Sequence, residues 1–131
     1  MKKLLLIFTL LFSALMFSTP SYAEWTETSK SVNGDTFYVD FDRIRKHGGY
    51  VYFWLLTNFL KPSKFGDLSA KVYKQGDCKL FRYQRLSYSF HKEPMGGGTG
   101  DVQKPLPQSK GWQYPTPNSV SEYVLKAVCN Q

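Results

Sequence analysis

Histidine and cysteine are scarce, with two of each in 131 residues, which leaves little from which to build a zinc site or a redox pair. Cys78 and Cys129 lie far apart and neither belongs to a Cys-x-x-Cys spacing, which excludes a thioredoxin-like or zinc-ribbon reading. No Ser-His-Asp or Cys-His arrangement is recognisable, and a nucleophile without an aligned base stays inactive. The run Met95-Gly96-Gly97-Gly98-Thr99-Gly100 suggests a phosphate cradle at first sight. It is followed by Asp101-Val102-Gln103-Lys104 and Pro105 rather than by Gly-Lys-Ser/Thr and a helix, so that reading fails. His91 and Glu93 share one side of an extended strand and could reach a metal together with Asp101. With so few histidines, an exposed loop histidine is the better reading of His91. No catalytic residue, metal or cofactor is assigned, and an enzyme of the hydrolase or metal-dependent kind ranks behind a binding protein.

Long apolar runs are also missing, apart from one. Lys2 and Lys3 precede an apolar stretch over residues 4–17, broken only by Thr9 and Ser13, and Ser21-Tyr22-Ala23 follows. A positive start, a short apolar segment and a small-residue site make a cleavable signal peptide over residues 1–23; a membrane span would need about twenty apolar residues. Glu24 stands where a lipoprotein would carry its acylated cysteine, so no lipid anchor is expected. Without Lys2 and Lys3 the exported part, residues 24–131, holds 15 basic against 10 acidic residues, net +5. In an oxidising compartment an isolated cysteine pair reads as one disulfide, Cys78 to Cys129. Closing a loop of that size stabilises a small domain by about 4 kcal/mol in the chain-entropy view.

Aromatic residues alternate with polar ones in short runs, as half-buried strands do. The expected strands cover residues 25–32, 36–41, 50–60, 68–75 and 78–90. Asn33-Gly34 and Gly76-Asp77 supply hairpin turns, a helical turn occupies residues 42–46, and His47-Gly48-Gly49 breaks the chain. Residues 91–118 hold most of the glycine and proline and form a long loop, pinned at its far end by Trp112 and Tyr114. Ser119-Val120-Ser121-Glu122 after Pro117 has capping-box spacing, which starts a terminal helix. Val120, Tyr123, Val124, Ala127 and Val128 make its stripe, while Cys129 falls about 180° and Leu125 about 140° from the direction of Val120. Either the helix is buried over a wide arc reaching Leu125 and Val128, or its last turn unwinds to bring Cys129 back to Cys78; the second is favoured.

Several of these landmarks occur together: Tyr38-Val39-Asp40, Val51-Tyr52-Phe53-Trp54, Asp77-Cys78, the strand from Arg82 to Leu86, Met95-Gly96-Gly97-Gly98, Trp112-Gln113-Tyr114-Pro115, and the terminal Cys129. In that order they resemble the surface-adhesin protein E family over nearly the whole exported part. The resemblance implies an α+β fold, an antiparallel sheet tied by the Cys78–Cys129 disulfide to a C-terminal helix, that often self-associates. It further implies binding to extracellular host proteins such as vitronectin, laminin and plasminogen. An envelope accessory protein without a host ligand is the alternative.

Alternation over residues 78–90 sets Leu80, Leu86, Tyr88 and Phe90 toward a core and Lys79, Phe81, Tyr83 and Arg85 on a second face. That second face, cationic and aromatic, is the candidate ligand-contact surface, or else is covered by another part of the chain. Export argues against nucleic acid as its ligand. Over residues 50–60 both faces are apolar, which one short helix cannot cover. A homodimer through the sheet is expected, with Phe53 and Trp54 on the associating surface, unless residues 92–111 fold over it. Intact-mass measurement of the exported protein is expected to give a chain beginning at Glu24 with no acyl adduct; a retained residue 1–23 segment or added lipid mass would refute this.

Overall fold

The computed structural model describes residues 24–131; the expected signal peptide lies outside the described residues. Six strands form one antiparallel sheet: β1 (Thr26–Lys30), β2 (Thr36–Val39), β3 (Arg45–His47), β4 (Tyr50–Asn58), β5 (Ser69–Asp77) and β6 (Arg82–His91). Among the described residues a single α-helix, α1 (Val120–Cys129), follows the sheet at the end of the chain. The strand order is β1-β2-β4-β5-β6, and β3 pairs with the stretch of β4 that β2 leaves free. The α+β architecture expected from the sequence is the one observed. Among the described residues no helix is long and apolar enough to cross a membrane.

Turn chemistry places most strand ends. Gly34 takes φ 88° in the β1–β2 turn, where Ser31 and Asp35 close the backbone hydrogen bonds. Gly48 and Gly49 both have positive φ, 61° and 83°, the requirement of a tight two-residue hairpin. The supposed chain break is therefore a β3–β4 hairpin, and the helical turn expected over residues 42–46 shrinks to a 3-10 turn at Phe41–Arg43. Pairing with β4 satisfies more backbone groups in Arg45–His47 than one isolated helical turn would.

The β5–β6 turn also moves. Gly76 and Asp77 remain in β5, and the chain reverses over Cys78, Lys79, Leu80 and Phe81. The Asp77 carboxylate accepts from the backbone N–H groups of Lys79 (3.1 Å) and Leu80 (3.2 Å), and Phe81 completes the reversal at φ 53°. Such aspartate-to-backbone bonding stands in for the usual turn glycine.

Helix α1 starts as its capping residues require, with the Ser119 hydroxyl accepting from the Glu122 N–H at 3.2 Å. Its end differs from the favoured expectation: the helix stays wound through Cys129, and its buried arc is wide, taking in Val124, Leu125 and Val128 while Tyr123 is exposed. Leu125 supplies the reason, since it is 1% exposed and inserts against the sheet between the stripe and the disulfide. Cys129 is joined to Cys78 across a sequence separation of 51, so the bridge ties the helix end to the β5–β6 turn.

The core lies between α1 and one sheet face, where Val39, Val51, Phe53, Leu55 and Tyr83 meet Val124, Leu125 and Val128. Gly76 sits beneath this contact. A methyl group there would fall 2.9 Å from Val51 Cγ2 and 3.0 Å from Leu125 Cδ1. Glycine to alanine in a strand ordinarily adds stability through chain entropy, but here overpacking dominates. Gly76→Ala is expected to lower stability by about 1–3 kcal/mol, read by urea unfolding. An unchanged or raised midpoint would show that the helix is not seated on bare backbone.

Candidate functional site

Because side chains alternate across a strand, β4 divides its residues between the two faces. Val51, Phe53 and Leu55 go under α1, whereas Tyr50, Tyr52 and Trp54 go to the opposite face, which no helix among the described residues covers. Cross-strand pairing sets Tyr73 and Gln75 of β5 and Arg82 and Gln84 of β6 beside them. The outcome is an aromatic platform of half-buried rings. Trp54 and Tyr73 stand 4.8 Å apart between centroids, and Tyr52 and Tyr73 stand 6.3 Å apart.

Polar groups fix this platform. Gln75 donates to the Tyr52 hydroxyl at 3.0 Å, and Gln84 donates to Gln75. Arg82 pairs with Asp77 at 3.0 Å and lies under the Trp112 ring, its guanidinium carbon 4.3 Å from the centroid; Trp112 in turn reaches Tyr50 at 5.5 Å. Backbone bonds from Leu80, together with Arg82, hold the Asp77 carboxyl below the usual carboxylate range, so the pair stays charged. Arg45 extends the platform at its rim, 5.9 Å over Tyr52. Arginine on aromatic faces and ordered rings gives a surface that holds its shape while remaining half in water.

Residues 92–111 cover only one end of this face. The turn at Pro94–Gly96 packs over Leu56 and is held by Asn58, which accepts from the Met95 N–H at 2.9 Å, and by Ser69, which accepts from the Gly96 N–H at 2.9 Å. His91 is beneath it, 3% exposed and 2.8 Å from the Ser89 hydroxyl, not the exposed loop residue expected. Burial, and then the charge of Lys71, lower its pKa. Glu93 is exposed, its carboxylate folded back against Gly97 and Gly98, and among the described residues no three His, Cys, Asp or Glu side chains group as a metal site would require.

The four residues expected to share a ligand-contact face do not share one. Lys79 and Phe81 belong to the β5–β6 turn, with Phe81 packed against the core. Tyr83 and Arg85 lie on the helix side, Tyr83 only 6% exposed. A bulge explains why Tyr83 and Arg85 face the side expected for Tyr88 and Phe90 alone: Tyr73 pairs with Ser87 while Lys74 pairs with Arg85, so Leu86 is unopposed. One extra residue inverts the facing of everything beyond it, which puts Arg85 on the same side as Tyr88 and Phe90. Phe53 is corrected likewise. It is 1% exposed under the helix and cannot contribute to an outer surface, whereas Trp54 lies on the open one. The platform residues Tyr50, Tyr52, Tyr73 and Trp112 were missed as a group, although the even positions of residues 50–60 already carried the signal.

Opposite Phe53 and Arg85 stands Lys74, 4% exposed, its amino group 4.5 Å from the Tyr83 centroid. Burial, then the charge of Arg85, brings its pKa from the ordinary 10.5 down to about 7. Between those values the unfolded chain holds a proton at Lys74 that the folded chain has released, so unfolding takes one up and stability rises with pH. Stability measured by urea unfolding is expected to climb from pH 7 to pH 9, and Lys74→Met to flatten that slope and raise stability at pH 7. An equal slope in both proteins would remove Lys74 as its source.

Comparison with known proteins agrees with this architecture. The family model described as surface-adhesin protein E matches residues 25–130. A crystal form of Haemophilus influenzae protein E is similar in structure, with a TM-score of 0.62 at 21% identity, covering 86% of this chain and 91% of that one. Protein E from non-typeable Haemophilus influenzae superposes with a TM-score of 0.57 at 20% identity, covering 86% and 79% of the two chains. At that identity the structures speak to the fold. Among curated proteins, none matches this chain. With an antiparallel sheet, a terminal helix bridged to it by Cys78–Cys129, and a family match over residues 25–130, the chain belongs to the surface-adhesin protein E family.

Proposed function

We propose that the protein is an exported adhesion module that binds an extracellular protein through the open aromatic platform. The observation that supports this reading is the platform itself: Tyr50, Tyr52, Trp54, Tyr73 and Trp112 stay half-exposed on the sheet face that α1 leaves bare. Tyrosine, tryptophan and arginine dominate the energetics of protein interfaces, because each buries much area with few rotamers to freeze. Arg45 and Arg82 within this surface favour a partner with acidic groups. Vitronectin, laminin and plasminogen are the partner class to which the family resemblance points.

Trp54→Ala or Tyr52→Ala is expected to weaken binding of the refolded protein to immobilised vitronectin, laminin or plasminogen by about 30-fold, the effect of losing a central anchor. Leu106→Ala, on the other side, is expected to leave binding unchanged. Binding that survives both platform substitutions, with the fold intact by circular dichroism, would overturn the assignment. A second reading uses the same face for a second copy of the chain, since a platform this apolar in the middle suits self-association. Sedimentation at micromolar concentration decides it: a dimer lost on Trp54→Ala supports the second copy, and a concentration-independent monomer leaves the face to other proteins.

A further inference from the structure

The helix covers β1 and β4 but leaves the outer half of its own sheet face unroofed. Ala70, Val72, Tyr88 and Phe90 form the floor there, Phe59 closes one end, and Pro105 and Leu106 rise as a wall where the long loop is fastened to β6 by paired hydrogen bonds between Gln103 and Tyr88. The cleft so formed holds about 470 Å³, within the range of small-molecule sites. Phe90 and Leu106 stay exposed to solvent along it, at 42% and 53%.

The inner end is cationic and unneutralised. Arg85 lines the cleft and donates from Nη1 to Gln113 at 2.9 Å, but it has no carboxylate within ion-pair reach among the described residues. Lys74, its direct cross-strand partner, is buried and also lacks an acidic partner among them. Both cations crowd the Tyr83 ring, at 4.5 Å and 5.5 Å from its centroid. Like charges at paired positions repel, and burying a charge without a counter-charge is unfavourable. Arg82, on the other face, shows how the same strand neutralises an arginine with Asp77. An anion at the Arg85 end would neutralise the arginine and offset the repulsion it exerts on Lys74 behind it, and the apolar floor beyond it suits a tail.

We propose that this cleft binds a small amphipathic carboxylate, its aliphatic tail between β6 and residues 105–109 and its head group on Arg85, with Lys74 buried behind. This site lies on the opposite face from the platform and is independent of it. Titration of the disulfide-intact, isotope-labelled protein with sodium decanoate tests it by amide chemical shifts. Saturable changes are expected at Val72, Arg85, Tyr88 and Phe90 and along residues 105–109. Decanol, with the same tail and no charge, is expected to bind about tenfold more weakly or worse, as is decanoate to Arg85→Gln. Leu106→Asp, an exposed change with little folding risk, is expected to abolish tail binding, and Trp54→Ala to leave it intact. Equal binding of decanol and decanoate, unsaturable shifts, or shifts centred on Tyr52 and Trp54 would each overturn the proposal.

Discussion

The seating of Leu125 on the bare backbone of Gly76 is the contact from which the rest of the structure follows. It brings α1 close enough to the sheet for Val124 and Val128 to join Phe53 and Leu55 in one core, and it fixes which sheet face is covered. Once that face is chosen, the even side chains of β4 have nowhere to go but the other one. The Cys78–Cys129 bridge then holds a contact already made, tying the helix end to the turn that follows Gly76. The small size of the domain explains why packing and crosslink are used together, since neither alone gives a wide margin in a chain this short.

Much of this was legible in the sequence, where each element carried its own local signal. The helix start was readable from Ser119 and Glu122, the β4 strand from its double-sided apolar run, and the disulfide from an isolated cysteine pair behind an expected signal peptide. Features that depend on distant partners were not. Gly76 looks like a turn residue until Leu125 is known to need its space, and Asp77 looks like the second half of that turn until its carboxylate is seen bonding two backbone N–H groups beyond it. The bulge at Leu86 leaves no mark on alternation, yet it sends Arg85 to the side of Tyr88. The candidate surface drawn from Lys79, Phe81, Tyr83 and Arg85 divided, because Lys79 and Phe81 belong to the turn, Tyr83 is buried and the bulge sets Arg85 beside Tyr88, while Trp54, judged by the same alternation on an unbulged strand, kept its place on the open face.

The two faces treat positive charge in different ways. On the platform Arg82 is neutralised by Asp77 and stacked on Trp112, an arrangement that orders the arginine without leaving its field unopposed. On the helix side Lys74 and Arg85 share one tyrosine ring and no counter-ion among the described residues. Ordered, compensated cations contribute shape and hydrogen bonding to a protein contact. Uncompensated ones raise the local potential, which is what a small anion senses.

The fastening of the long loop to β6 has a consequence for how this molecule can meet any other. At Tyr83 and Tyr88 both backbone groups on the outer side of β6 are taken, by Gln113 and Gln103. At the opposite margin β1 is short, interrupted by an irregularity between Glu27 and Ser29, and flanked by charge at Glu27 and Lys30. Both rims of the sheet are thus poor templates for strand addition. Recruitment of an extended peptide as a seventh strand, and runaway polymerisation through open β-edges, are both discouraged by the same construction. Contact with a macromolecule is left to broadside docking of side chains, in which recognition is written in rings and charges rather than in main-chain hydrogen bonds.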